Sequence, residues 1–268
     1  MFAYAAFLRH EAGIPLDQPV DMPTLFAHFG MQSPPRVPLP NQQGLLLNPE
    51  IGLILINDTD PATRQRFTEA HELMELLFST IPTDPLDPSR VGVFSHAIKE
   101  RLCDEGAANL LIPPEYLAPI LRKKPLTWNL ARKIAARFDV SQTAAMVQLV
   151  RAAPGKHAVV LWRKMTKPSQ QKNAIPPAQL SLFDDTPRKP KKRLRVAWAL
   201  SDHRKLFIPR HKSIPETSSI YQAWETKQFT CDTEWLDLGK CAGTFRTENL
   251  PFIAEDEYRV LSLLQWQS

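Results

Sequence analysis

Residues 66–78, RFTEAHELMELLF, constrain this chain more than any other stretch. Phe67, Ala70, Leu73, Leu76 and Leu77 recur at helical spacing, which predicts a largely buried helix. Yet His71, Glu72 and Glu75 lie in its middle. Ionisable groups on a buried helix need partners, because an unpaired charge away from water is strongly unfavourable. His71 and Glu75 are four residues apart, so they project from one face a turn apart. That spacing can place two ligands on one metal ion, with Glu72 one step along as general base toward a water held there. The same short string also occurs on ordinary solvated helix faces, so alone it leaves both readings open.

A second segment, 96–111, reads as a helix that stops at Pro113-Pro114. His96, Glu100 and Asp104 fall on one face at successive four-residue steps. Any of them can supply a third ligand; equally, they can form the polar outer face of an amphipathic helix.

Around these two helices the pattern is mixed. Short helices are expected at 2–13 and 22–30, the second starting at Asp21-Met22-Pro23, and Pro-rich loop at 31–43. GLLLN and IGLILIN read as strands about the turn Asn48-Pro49-Glu50. Residues 80–91 read as loop. Helices at about 114–122, 127–138 and 141–152 follow, with Ser141 as N-cap; the last pair suits either a helix-turn-helix or simple helix packing. After Gly155 strands take over, at 157–163, 193–200, 235–238, 243–248 and 258–264, with one helix at about 217–227.

Charge is concentrated, not spread. Residues 163–195 hold ten basic and two acidic side chains, while the whole chain carries only +5, so the remainder is net acidic. The basic balance therefore says little about the folded parts. Residues 165–190 lack periodicity and read as a disordered insertion. Three cysteines are too few for a disulfide framework. No stretch has the length of a membrane span, and the N-terminus lacks the features of a signal peptide, so a soluble cytoplasmic protein without membrane partners is expected.

Several ordered motifs together resemble the ImmA/IrrE metallopeptidase family. RFTEAHELMELL is similar to that family's RFTxAHELGHLL signature, and GLILIND precedes it as the family's strand does. KERLCDEGAANLLIPPEYL resembles the helix bearing the family's glutamate ligand, and ARKIAARFDVSQTAAMVQLV its helix-turn-helix segment. The later strands resemble the accessory domain of longer members. The resemblance implies an α+β fold in three parts. Residues 1–113 would be a mostly helical zincin-like domain with a small sheet, 114–154 a helix-turn-helix-like segment, and 155–268 a small α+β (GAF-like) domain carrying the basic insertion. It implies one Zn2+ per chain, or another divalent metal, held by His71, Glu75 and Glu100, with Glu72 as general base. His96 and Asp104 are reserve ligands, and Cys103 is expected to be structural. The implied activity is metal-dependent endopeptidase cleavage of a helix-turn-helix transcriptional repressor, in stress, DNA-damage or mobile-element regulation.

Two departures bear on that activity. Glu75 stands where the family has a second histidine, and Met74 where it has a small residue. A second carboxylate ligand makes the ion a poorer Lewis acid. The alternative is therefore a catalytically impaired, peptidase-like regulatory protein that binds partners. Gln179-Leu180-Ser181-Leu182-Phe183 resembles the bacterial sliding-clamp-binding pentapeptide and would serve such recruitment; it can also be an apolar strand of its own domain. The basic run 188–195 suits weak contact with nucleic-acid phosphates or a solvated linker.

Overall fold

Local signals set where the helices of the first unit begin. The computed structural model describes residues 2–79, 95–169, 192–201, 203 and 206–267, and divides the chain into two compact units, Met1–Ala152 and Ala153–Ser268. After α1 (Phe2–Glu11), α2 (Met22–His28) is capped by Asp21, which accepts the Thr24 N–H at 3.2 Å, with proline in its first turn. Three strands follow: β1 (Arg36–Val37), β2 (Gly44–Asn48) and β3 (Leu53–Asn57). They form one sheet in the order β1-β3-β2, with β1 parallel and β2 antiparallel to β3. β1 lies inside a segment expected to be loop.

Of the two long helices that follow, α3 (Ala62–Ser79) packs on this sheet and α4 (His96–Leu111) packs against α3. The face of α3 made by Ala70, Leu73, Met74 and Leu76 is buried, as its spacing predicts. Met74 is fully buried, so its bulk serves the core. α5 (Pro114–Leu121), α6 (Trp128–Phe138) and α7 (Gln142–Ala152) complete the unit. α6 ends on Asp139 in the left-handed region (φ 51°), and Ser141 accepts the Ala144 N–H at 3.1 Å where α7 starts.

Guanidinium groups tie these pieces together. Arg9 donates to the carbonyls of Leu110 (2.8 Å), Gln18 (2.7 Å) and Pro15, locking α1 against the C-terminal end of α4. Burial lowers its pKa to about 10, and Glu115 and Asp17 oppose that shift, so the group stays charged at neutral pH. Arg66 bonds the Asp139 carboxylate (2.6 Å) and the Val20 carbonyl (2.6 Å), fixing the start of α3 to the α6–α7 turn. Arg36 reaches from β1 to the buried Glu69 of α3.

The second unit is a five-stranded antiparallel sheet with one described helix. Its strands are β4 (His157–Met165), β5 (Arg193–Leu200), β6 (Thr230–Asp237), β7 (Ala242–Ala254) and β8 (Glu257–Gln267), in the order β5-β4-β8-β7-β6. Helix α8 (Ser219–Thr226) lies on it, and Trp162, Val160, Phe245, Leu264 and Ile220 are buried in the core between them. β6 and β7 run further than their hydrophobic pattern suggests, and β7 even contains Pro251. The register explains that. β6 stops pairing at Asn249, so beyond it β7 bonds β8 alone, and a residue without an N–H is tolerated on the open side. The molecule is thus α+β in both units.

Candidate metal centre

The centre lies where α3, α4 and β2 meet. His71 is only 14% exposed, and its Nδ1 is 2.9 Å from Oδ1 of Asp104 on α4. That contact turns the other ring nitrogen toward Glu100, whose Oε2 lies 3.5 Å from Nε2. The distance is long for a hydrogen bond. It is close to the roughly 3.4 Å that separates two donors bound to one tetrahedral zinc at about 2.0–2.1 Å. His71, Glu72 and Glu75 each offer a ligand atom, all within 4.8 Å of one another. Imidazole held by a carboxylate at Nδ1 is a common support for a metal ligand, because it fixes the tautomer and aims Nε2.

Glu72 differs from the other acids. Its residue is 7% exposed, and the backbone N–H of Leu46 in β2 reaches its carboxylate. Burial pushes its pKa up to about 7; His71 and the Leu46 N–H oppose the rise, and the charges of Glu75 and Glu100 add to it. For His71, burial works downward, but the hydrogen bond and charge of Asp104, with Glu72 and Glu100, outweigh it and the net shift is upward.

β2 passes unusually close. A side chain on Gly44 would put its Cβ 2.4 Å from Thr68 and 2.8 Å from Glu72 Oε1, so only glycine lets the strand lie against this face of α3. β2 is also an edge strand, with β3 as its one partner among the described residues.

The sequence-derived site residues separate clearly. His71, Glu72 and Glu75 on α3 cluster within 4.8 Å of one another, and Glu100 on α4 lies outside that cluster but 3.5 Å from His71. His96 is 85% exposed and touches Glu100 at 3.4 Å, on the outside of the centre. Asp104, a reserve ligand by sequence, supports His71 instead. Cys103 is fully buried and its thiol is pushed up to about 12, chiefly by burial, which suits a structural role. Sequence reasoning missed Lys99, whose Nζ is 2.5 Å from Glu75 Oε1. Its only signal was a cation beside the glutamate of the second helix. Residues 179–183 lie outside the described residues. Of the basic run, Arg188, Lys189 and Lys191 are outside them too, and Arg195 is buried, donating to the carbonyls of Met165 (3.2 Å) and His211 (2.9 Å). Arg195 is therefore withdrawn from any phosphate. In the expected recognition helix only Ser141 and Gln142, at its very start, are exposed.

In this α+β unit a His-Glu pair on one helix is faced by carboxylates of a second helix and flanked by an edge strand. Residues 35–149 match the family model described as Peptidase_M78, the IrrE N-terminal-like domain. The "Radiation response metalloprotease IrrE" of Deinococcus deserti is 37% identical over 110 residues, 40% of this chain and 39% of that protein. The protein of the same description from Deinococcus radiodurans is 31% identical over 109 residues, 40% of this chain and 33% of that protein. The chain thus matches well under half the length of these relatives. A solved "Mycobacterium tuberculosis transcriptional regulator" shares the fold over 99% of this chain and 76% of its own, with a TM-score of 0.60 at 11% identity. Among the described residues no helix is long and apolar enough to cross a membrane.

Proposed function

We propose that the first unit is a zincin-like metal-dependent endopeptidase, with His71, Glu75 and Glu100 holding one Zn2+ or similar divalent ion per chain and Glu72 as general base. The observation that carries this is the His71 ring, braced at Nδ1 by Asp104 and set at Nε2 3.5 Å from Glu100. The residues fit the ion: one nitrogen and two carboxylate donors suit zinc. Bound there, the metal would supply Lewis-acid polarisation of the scissile carbonyl and of the attacking water. Glu72 takes the proton from that water as its oxygen bonds the carbonyl carbon. The same carboxyl group then passes the proton to the departing amide nitrogen as the C–N bond breaks. The edge of β2 offers backbone groups to an extended peptide beside Glu72.

The substrate proposed is a helix-turn-helix transcriptional repressor, cut in stress or DNA-damage control, in the cytoplasm. The names of the Deinococcus relatives, radiation response metalloprotease, support the peptidase and stress parts of this reading. The second unit is proposed to be the GAF-like accessory domain. Clamp recruitment through Gln179–Phe183 is a separate proposal, which pull-down with Leu182→Ala and Phe183→Ala tests. For the peptidase, wild type should carry about one zinc per chain, His71→Ala should carry none, and Glu72→Gln should bind metal and repressor without cleaving it. Equal metal content in wild type and His71→Ala would remove the reading.

A further inference from the structure

We propose that Glu75 and Lys99 act together as the counterpart of a neutral ligand, so that Lys99 sets how tightly the centre holds its metal. This rests on the metal-centre reading above and adds a residue that reading does not use. Glu75 offers two carboxylate oxygens. Lys99 Nζ lies 2.5 Å from Oε1, and both side chains are partly buried, at 33% and 27% exposed. One oxygen is thereby engaged, and one remains for an ion shared with His71.

Charge gives the pair its purpose. His71, Glu75 and Glu100 would together neutralise a doubly charged cation. Adding the Lys99 ammonium restores one positive charge, the balance that two imidazoles and one carboxylate would leave. The net charge around an ion governs how strongly it polarises what it binds. Without Lys99, Glu72, Glu75, Glu100 and Asp104 would place four carboxylates around one imidazole. The position is structurally specific. Lys99 precedes Glu100 on α4, and its long stem lets it reach α3 beside the shorter Glu100. An exposed surface pair would contribute little; this one engages a proposed ligand directly. It follows that ammonium and metal compete for Glu75, and the centre binds metal less tightly than its donors alone would allow.

The test is Zn2+ affinity of the full chain, measured by competition with a chromophoric chelator. Wild type, Lys99→Met and Lys99→Arg are compared, with Lys99→Met repeated in a Glu75→Gln background. Lys99→Met should tighten binding about tenfold or more, the scale on which an opposite charge at this range biases a carboxylate. Lys99→Arg should stay near wild type, and in Glu75→Gln the Lys99→Met effect should largely vanish. The absorption of Co2+-loaded protein should also change with Lys99→Met, because the freed carboxylate can coordinate through both oxygens. If wild type binds Zn2+ and Lys99→Met leaves the affinity unchanged, or tightens it equally in both backgrounds, this proposal is overturned and the metal centre stands. If neither wild type nor Lys99→Met binds Zn2+, both fall.

Discussion

Glu72 is a carboxylate whose neutral form the fold favours. Its pKa rises from an ordinary 4.5 to about 7, with burial the largest cause. An acid with a raised folded-state pKa contributes its full stability below the unfolded value and loses it as pH climbs through the folded one. In the metal-free protein the loss therefore falls between about pH 4.5 and 7. Glu72→Gln keeps the shape and cannot ionise. With chelator present it should be more stable than wild type at pH 8 by about 3 kcal/mol, with the gap closing at pH 5. Urea unfolding at the two pH values reads this directly; a constant gap would mean that ionisation is not its cause. The sequence made Glu72 legible because a helix period relates it to His71 and Glu75. Asp104 was legible as a polar residue on the right face of α4, but not as the brace for His71. That role depends on the separation of two helices, which spacing along the chain does not encode. Lys99 was less legible still, since a lysine on a helix face is usually solvated.

At the scale of elements, long amphipathic helices were the easiest to read and short strands the hardest. α3, α4, α6 and α7 lie close to where periodicity and caps put them. β1 was hidden because two residues among prolines carry no pattern of their own; pairing with β3 and the Arg36–Glu69 contact define it. Likewise nothing in GLLLN announces that Gly44 is there for close approach. β2 lies so near α3 that Gly44→Ala must displace Thr68 or Glu72. The expected result is a loss of about 1–3 kcal/mol in unfolding free energy, the usual scale for overpacking. Because Glu72 is the proposed general base, cleavage of the proposed repressor substrate should fall more than metal binding does. Wild-type stability and activity in Gly44→Ala would show that β2 stands further from the helix than described.

Over the whole molecule, the two units differ in what they are built from and therefore in what reports on them. The proposed metal ligands all lie in Met1–Ala152. Of the six tryptophans only Trp128 lies there; Trp162, Trp198, Trp224, Trp235 and Trp266 are in the second unit. The α+β class was legible from helical periodicity giving way to alternating strands. The pairing order β5-β4-β8-β7-β6 was not, because β5 pairs back with β4 and β8 joins β4 across most of the unit's sequence, contacts that no local pattern specifies. A ligand that binds only folded protein stabilises by mass action, by about 2.7 kcal/mol at a free concentration one hundred times its dissociation constant. Zn2+ should therefore raise the unfolding transition of the first unit and leave the second in place. Calorimetry should show one of two transitions moving, while the tryptophan fluorescence midpoint, dominated by the second unit, stays fixed. His71→Ala should abolish the movement. If both probes shift together, the units unfold as one; if neither moves in wild type, the ion is not held where His71, Glu75 and Glu100 converge.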